Sequence, residues 1–188
     1  MNGDEFIELL RDNPVIAAVK DKDGLEKCLK SESRIIFILF GDLVDIADIV
    51  SRIKSAGKLA MVHVDLIEGL SSRDVAVDFI AKNTHADGII STKPNLVHRA
   101  KACGLLAVQR FFLLDSIALN NLIRQPAPNC DAIEILPGMM PKIIKKLVGI
   151  IEKPIIAGGL ITDKEDIVSA LSAGAIAISS TNQDTWFM

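Results

Sequence analysis

Six ionisable side chains stand in or directly after short apolar runs of the sequence. His63 and Asp65 are two residues apart in LAMVHVDL, so an extended strand would place both on one face. A charged group that faced a covering helix layer would be buried without water or a partner, which is costly. We therefore predict that the six converge on one polar pocket, with Arg110 favoured over Gln109 as the inward-facing residue. The six are Lys20, His63, Asp65, Lys93, Arg110 and Glu134.

Two segments with glycine and serine indicate what this pocket binds. IIAGG ends in Gly158 and Gly159, and AIAISS ends in Ser179 and Ser180. Glycine lets backbone N–H groups approach an anion closely, and serine adds hydroxyl donors. We therefore predict that these four residues bind a phosphate group. The alternative is that the glycines only make a tight turn and the serines only cap a final helix.

The charged residues also have a purely structural interpretation. Glu134 would pair with Arg110, and Asp65 with Lys93, as ion pairs in a polar layer of the core. Structure alone would be served better by Val or Ile, because a buried ion pair seldom stabilises more than apolar residues of similar size. A ligand pocket is therefore the better joint explanation for so many charges at one end.

Eight short runs rich in β-branched residues would position these side chains. Most are apolar on both faces, which is typical of parallel strands covered on each side. Helical segments separate them, and eight βα units favour a closed α/β barrel of the (β/α)8, or TIM-barrel, type over a doubly wound open sheet. In many such barrels the loops after strands 7 and 8 bind phosphate. The runs cover residues 15–19, 34–40, 59–66, 88–92, 106–112, 132–138, 155–159 and 175–180.

The chain length of 188 residues predicts one domain, 1–188, with few insertions. Phe6, Leu9 and Leu10 recur at helical spacing within residues 3–11, which predicts an extra helix that covers the bottom of the barrel. After the last strand only TNQDTWFM follows, so the last helix must be truncated. A gap in the outer ring would result, and a second subunit of a homodimer could fill it.

Composition and motifs limit the function classes. The net charge is −3 and aromatic residues make up 4%, so the usual basic face and stacking platform of nucleic-acid-binding proteins are not evident. Lys142, Lys145 and Lys146 lie on one side of a predicted helix; such a run is usually a solvated face, but it is the candidate surface for RNA phosphates. No HExxH, P-loop or GxGxxG motif occurs, so neither a metal nor a cofactor is predicted. The acidic start and the lack of a 20-residue apolar run predict a cytoplasmic protein without a membrane segment.

Six blocks of the sequence, in this order, resemble one family. They are VHVDLIEGLSSRD, DGIISTK, QRFFLLDS, IEILPG, PIIAGGLI and AISSTNQDTW, and the family is the glycerol uptake operon antiterminator regulatory proteins. The resemblance implies a barrel that senses glycerol 3-phosphate, has no catalytic residues, and acts on the leader mRNA of glycerol genes to prevent early termination. It also implies that the glycine and serine residues hold the phosphate. His63, Asp65, Lys93, Arg110 and Glu134 would then line the glycerol end.

Two other functions stay open at this stage. Most barrels with a phosphate site are enzymes, so an isomerase or aldolase acting on a small phosphorylated polyol or triose is the main alternative. Glu134 or Asp65 would then be the general base, and Lys93 a Schiff-base lysine or an electrophile. A ligand-binding or scaffold protein that contacts neither RNA nor a substrate is the third possibility. We predict the non-catalytic regulator that the resemblance implies; against the enzyme, no pair of these groups has a spacing that specifies a reaction.

Overall fold

Eight parallel strands, each paired with the next along the chain, close into a barrel. This is seen in a computed structural model that describes residues 1–124 and 129–188. The last strand pairs with the first through Ala17 and Ser180. The strands are β1 (Val15–Val19), β2 (Ile35–Ile38), β3 (Leu59–His63), β4 (Gly88–Ser91), β5 (Leu106–Phe112), β6 (Ala132–Leu136), β7 (Ile155–Gly158) and β8 (Ala177–Ser180).

Helices alternate with the strands and begin at residues suited to that position. Asn2 and Asp21 accept hydrogen bonds from backbone N–H groups in the first turns of their helices, and Pro94 and Pro141 occupy first turns where no N–H is needed. None of the helices in the described parts of the chain is long and apolar enough to cross a membrane. The helices are α1 (Gly3–Asp12), α2 (Lys22–Cys28), α3 (Ile46–Ser55), α4 (Asp74–Asn83), α5 (Pro94–Ala102), α6 (Ser116–Arg124), α7 (Pro141–Val148) and α8 (Lys164–Ser172).

Two apolar layers follow from the alternation of side chains along the strands. Inward-facing residues such as Phe37 and Met61 fill the barrel, and Phe6, Leu9 and Leu10 of α1 pack against them from below. Outward-facing strand residues pack against the surrounding helices in a second, larger cluster. The predicted TIM-barrel fold and the helix that covers its bottom are therefore confirmed.

The chain after β8 forms only a 3-10 turn, Gln183–Phe187, in place of a full eighth outer helix. This turn lies against β1 and α2, and its Trp186 is buried in the outer layer. The predicted truncation of the last helix is thus confirmed.

One detail of the strand prediction is wrong. Strand β3 ends at His63, and residues Val64–Leu66 form a 3-10 turn, so Asp65 does not share a strand face with His63. The chain turns here because the Asp65 carboxylate accepts a hydrogen bond from the backbone N–H of Thr92, just beyond the neighbouring strand β4.

Candidate functional site

A cavity of about 360 Å³ opens at the C-terminal ends of the strands. Its wall is formed by residues of β1, β5, β6 and β8 and by residues that follow β1, β2, β7 and β8. Six of the predicted site residues belong to this wall: Lys20, Arg110, Glu134, Gly159, Ser179 and Ser180. Its other residues are Ala18, Leu39, Leu136, Leu160, Ile161, Thr162, Thr181 and Asn182.

A buried ion pair joins two neighbouring strands in the cavity wall. Arg110 and Glu134 are register partners of β5 and β6, and Arg110 Nε lies 2.5 Å from Glu134 Oε2. The other carboxylate oxygen accepts a hydrogen bond from the Ser179 hydroxyl at 2.5 Å. Glu134 is fully buried. One of the two structural ion pairs considered from the sequence therefore forms, and it borders the cavity.

Gly158 is absent from the residues that form the cavity wall, and it has a different role. A Cβ atom at this position would lie 2.6 Å from Glu134 Oε1 and 2.7 Å from Ser179 Oγ, which is closer than real Cβ contacts. Glycine is therefore needed here because it leaves room for the hydrogen bond between Ser179 and Glu134.

The loops after β7 and β8 hold their serine hydroxyls in internal hydrogen bonds. The Ser180 hydroxyl donates to the Ile161 carbonyl at 2.7 Å and accepts the Asn182 N–H at 3.0 Å. The Ser179 hydroxyl donates to Glu134. Both hydroxyl protons are thus already used within the protein.

Backbone N–H groups of these two loops are open instead. Among the described residues, no acceptor takes a hydrogen bond from the N–H of Leu160 or of Thr181, and both residues line the cavity. Gly159 and Leu160 have positive φ angles of 76° and 61°. For a leucine this conformation is strained, and such strain is typical of ligand-binding segments. The loops therefore offer an anion backbone donors more than hydroxyl donors.

Asp65, Ser91, Thr92 and Lys93 form a second polar cluster, on the β3 and β4 side of the barrel. Asp65 accepts hydrogen bonds from the Ser91 hydroxyl and from the Thr92 N–H and hydroxyl, and the Lys93 ammonium lies 3.5 Å away. Burial alone would raise the pKa of Asp65, but the hydrogen bonds from Thr92 and Ser91 outweigh it and lower the pKa. The second ion pair considered from the sequence, Asp65 with Lys93, therefore also forms. Neither residue is among those that form the cavity wall.

His63 lies between the two polar groups and is almost fully buried. The pKa of its imidazole is lowered to about 4, first by burial and then by the nearby Arg110, while Asp65 acts in the opposite direction. The ring is thus neutral at pH 7. Its Nδ1 atom is 4.0 Å from Asp65 Oδ2, too far for a hydrogen bond, and has no partner among the described residues.

The three predicted RNA-contacting lysines are exposed on α7, away from the cavity wall. Within the described residues, no carboxylate lies within 4.0 Å of Lys142, Lys145 or Lys146. Lys142 and Lys145 border an open groove of about 340 Å³, whose other side carries Ser169 and Ser172 of α8.

Leu160 and Thr181 were missed by the sequence analysis as site residues. Each directly follows a predicted phosphate-binding residue, so the signal was their position in the loop and not their side chains. The type of amino acid at a position does not show whether its backbone N–H is free to bind a ligand.

Comparison with known proteins shows to which family the chain belongs. The model of the glycerol-3-phosphate responsive antiterminator family matches residues 15–186. The Escherichia coli (strain K12) protein YgcP is 47% identical over 182 residues, which is 96% of this chain and 95% of that protein. The crystal structure of a glycerol uptake operon antiterminator regulatory protein from Listeria monocytogenes is 34% identical, with a TM-score of 0.87, over 93% of this chain and 95% of that one. An antiterminator-related protein from Thermotoga maritima is 32% identical, with a TM-score of 0.82, over 94% of this chain and 99% of that one. The chain therefore belongs to the glycerol-3-phosphate responsive antiterminator family.

Proposed function

We propose that this protein is a non-catalytic, cytoplasmic regulator that binds glycerol 3-phosphate in the cavity and acts on the leader mRNA of glycerol genes. The observation that carries the ligand assignment is the pair of open N–H groups of Leu160 and Thr181 in the same cavity wall as the cation of Lys20. Backbone N–H groups with a nearby cation favour a phosphate group. Gly158, Gly159, Ser179 and Ser180 shape the loops that present these donors.

The glycerol end of the ligand belongs at Arg110 and Glu134 in the same wall. The Arg110 guanidinium, held by Glu134, can donate to hydroxyl groups, whereas Ala18, Leu39 and Leu136 offer apolar contact to the carbon chain. His63, Asp65 and Lys93 support this end of the pocket from the side of β3 and β4. Neither a metal nor a cofactor enters this scheme.

The hydrogen bonding of the carboxylates supports binding over catalysis. A general base needs a carboxylate oxygen free to take a proton from the substrate. Both oxygens of Glu134 are engaged, by Arg110 and by Ser179. Asp65 accepts three hydrogen bonds and contacts Lys93, which is the lysine that an aldolase-like reaction would use.

Calorimetric titration of the purified protein with glycerol 3-phosphate tests the ligand assignment, with glycerol and inorganic phosphate as controls. Thr181 is exposed and lines the cavity, so Thr181→Asp adds a negative charge there without disturbing the core. We expect saturable binding in the wild type, at least a tenfold loss in Thr181→Asp, and nearly unchanged binding in the matched neutral variant Thr181→Asn. The ligand should be recovered unchanged. Absence of binding by the wild type would overturn the assignment.

The RNA contact is assigned to the surface of Lys142, Lys145 and Lys146. These three ammonium groups are exposed, and within the described residues none of them pairs with a carboxylate. They can therefore contact RNA phosphates, and a homodimer would carry two copies of this surface. The probe is a glycerol-operon leader transcript in the presence of glycerol 3-phosphate. Replacing the three by Gln should weaken binding and reduce its salt dependence, by about 0.7 in log–log slope for each lost contact with single-stranded RNA. The matched triple variant of the exposed lysines Lys22, Lys30 and Lys82 changes the net charge equally and should bind as the wild type does.

A further inference from the structure

We infer that Trp186, in the C-terminal turn, is a positioning residue of the anion site, an inference that rests on the proposed function. Its indole N–H donates a hydrogen bond of 2.8 Å to the carbonyl of Ser180. That carbonyl and the N–H of Thr181 belong to the same peptide group. Trp186 therefore holds one end of the peptide whose other end is open to the cavity.

The direction of the Thr181 N–H follows from the geometry of the peptide group. In a trans peptide the C=O and N–H bonds point in opposite directions. The cis bond among the described residues is Leu136–Pro137, so the peptide between Ser180 and Thr181 is trans. Its carbonyl points to the outer layer in which Trp186 is buried. Its N–H consequently points away from that layer, and Thr181 lines the cavity.

The loop after β7 is built in the same way. The Gly159 carbonyl accepts a hydrogen bond of 3.0 Å from the Gly138 N–H, and the N–H of the same peptide group is that of Leu160. In both loops a donor outside the cavity holds the carbonyl, and the next N–H has no acceptor among the described residues. A hydrogen bond to the carbonyl also polarises the peptide, which makes its N–H a stronger donor to an anion.

Further hydrogen bonds tie the C-terminal turn to both loops. The Asn182 side chain donates to the Thr162 carbonyl at 2.7 Å, and the Thr185 hydroxyl donates to the Asn182 carbonyl at 2.6 Å. A phenylalanine at position 186 would keep an aromatic ring in the outer layer but fill less of the space around this buried position, which is why the unfolding midpoint is measured beside the affinity. What it would lack is the indole N–H, so the polar atom is the feature that distinguishes a positioning role from simple packing.

The test compares Trp186→Phe with the matched control Phe187→Leu, an exposed position in the same turn whose side chain has no polar atom. Trp186→Phe removes one hydrogen bond that positions the site, so its affinity for glycerol 3-phosphate should fall about three- to tenfold. The affinity of Phe187→Leu should equal that of the wild type. The unfolding midpoint of each variant is measured alongside. A Trp186→Phe protein that folds and binds as tightly as the wild type would overturn the inference.

A second measurement on the wild type keeps the test decisive if Trp186→Phe does not fold. The chain contains one Trp, so a single indole N–H resonance reports on this hydrogen bond. When glycerol 3-phosphate binds at the Thr181 N–H, the Thr181 amide and the indole resonance should shift together along one titration curve. Ligand binding that shifts the Thr181 amide but leaves the indole resonance in place would refute the positioning role and leave the proposed function intact. Absence of ligand binding by calorimetry would instead refute the proposed function.

Discussion

The two ends of the barrel satisfy their carboxylates in different ways. At the bottom, one arrangement occurs twice. Asp87, just before β4, accepts the Ala60 N–H of β3 and pairs with Lys54 of α3. Asp131, just before β6, accepts the Ala107 N–H of β5 and pairs with Lys101 of α5 in the same manner. Each carboxylate thus joins a strand, its neighbour and an outer helix.

At the mouth, Glu134 is held by side chains from β5 and β8 inside the barrel, not by a backbone N–H and a helix lysine. It is fully buried, whereas the side chains of the two bottom pairs are 10% to 34% exposed. The cavity that Glu134 lines also contains N–H donors without acceptors among the described residues, and none of the four residues of the bottom pairs lines this cavity.

Because of this difference, we expect substitutions at the two ends to act differently on the stability of the fold and on ligand affinity. The bottom pairs complete their own hydrogen bonding, so they have nothing to offer a ligand and their loss should affect only the fold. The mouth combines a costly buried ion pair with open donors, so changes there should affect both the fold and the affinity for a ligand. Three predictions test this distinction.

The largest effect is expected from Glu134→Gln. It leaves the Arg110 cation buried without a counter-charge, which should reduce the free energy of unfolding by about 4 kcal/mol and also weaken glycerol 3-phosphate binding. Urea denaturation followed by circular dichroism measures the first effect, and calorimetry the second.

The double variant Arg110→Met with Glu134→Gln is the control for this prediction. Because it removes both charges, it should recover much of the lost stability without recovering ligand binding. If the single variant loses less than about 1 kcal/mol, or the double variant is no more stable than the single one, the ion pair does not have the assigned role.

An intermediate effect is expected from pH, through His63. Its pKa is about 4 in the folded protein and about 6.5 when unfolded, so between these values the unfolded chain binds the proton more strongly. Stability should therefore be full above pH 6.5 and fall as the pH drops to 4, by about 3 kcal/mol in total.

Thermal unfolding in buffers between pH 4 and pH 7 measures this loss. His63→Leu should make stability less dependent on pH in this window, whereas His85→Asn, a change at an exposed histidine, should leave the dependence as in the wild type. An equal slope in His63→Leu and in the wild type would contradict the assignment. Asp65, whose pKa is lowered, titrates below this window.

The fold was predictable because its signals are local. Each strand is a short apolar run, and the covering helices demand apolar residues on both strand faces. Residues 3–11 and the eight residues after β8 could likewise be assigned from spacing and length alone. The parallel register then brings the strand ends together without further information.

The site was predictable only in part, because its hydrogen bonds join residues that are far apart in sequence. Asp65 leaves the strand direction since Thr92, 27 residues later, provides its donors. The Ser179 hydroxyl is engaged by Glu134, 45 residues earlier. Residue types alone identified the charged residues, but they did not distinguish donors that are open from donors already used within the protein.

The smallest effect is expected from Asp131→Asn at the bottom of the barrel. Asn keeps an oxygen for the Ala107 N–H and loses only the charge that pairs with Lys101, a partly exposed contact. The free energy of unfolding should fall by about 1 kcal/mol or less. Asp87→Asn, at the equivalent position of the other bottom pair, should behave alike because its contacts are the same. Calorimetry of both variants should give the wild-type affinity for glycerol 3-phosphate. A loss of affinity without a matching change at the mouth would mean that the bottom pairs also position the site, and the separation of the two ends would not hold.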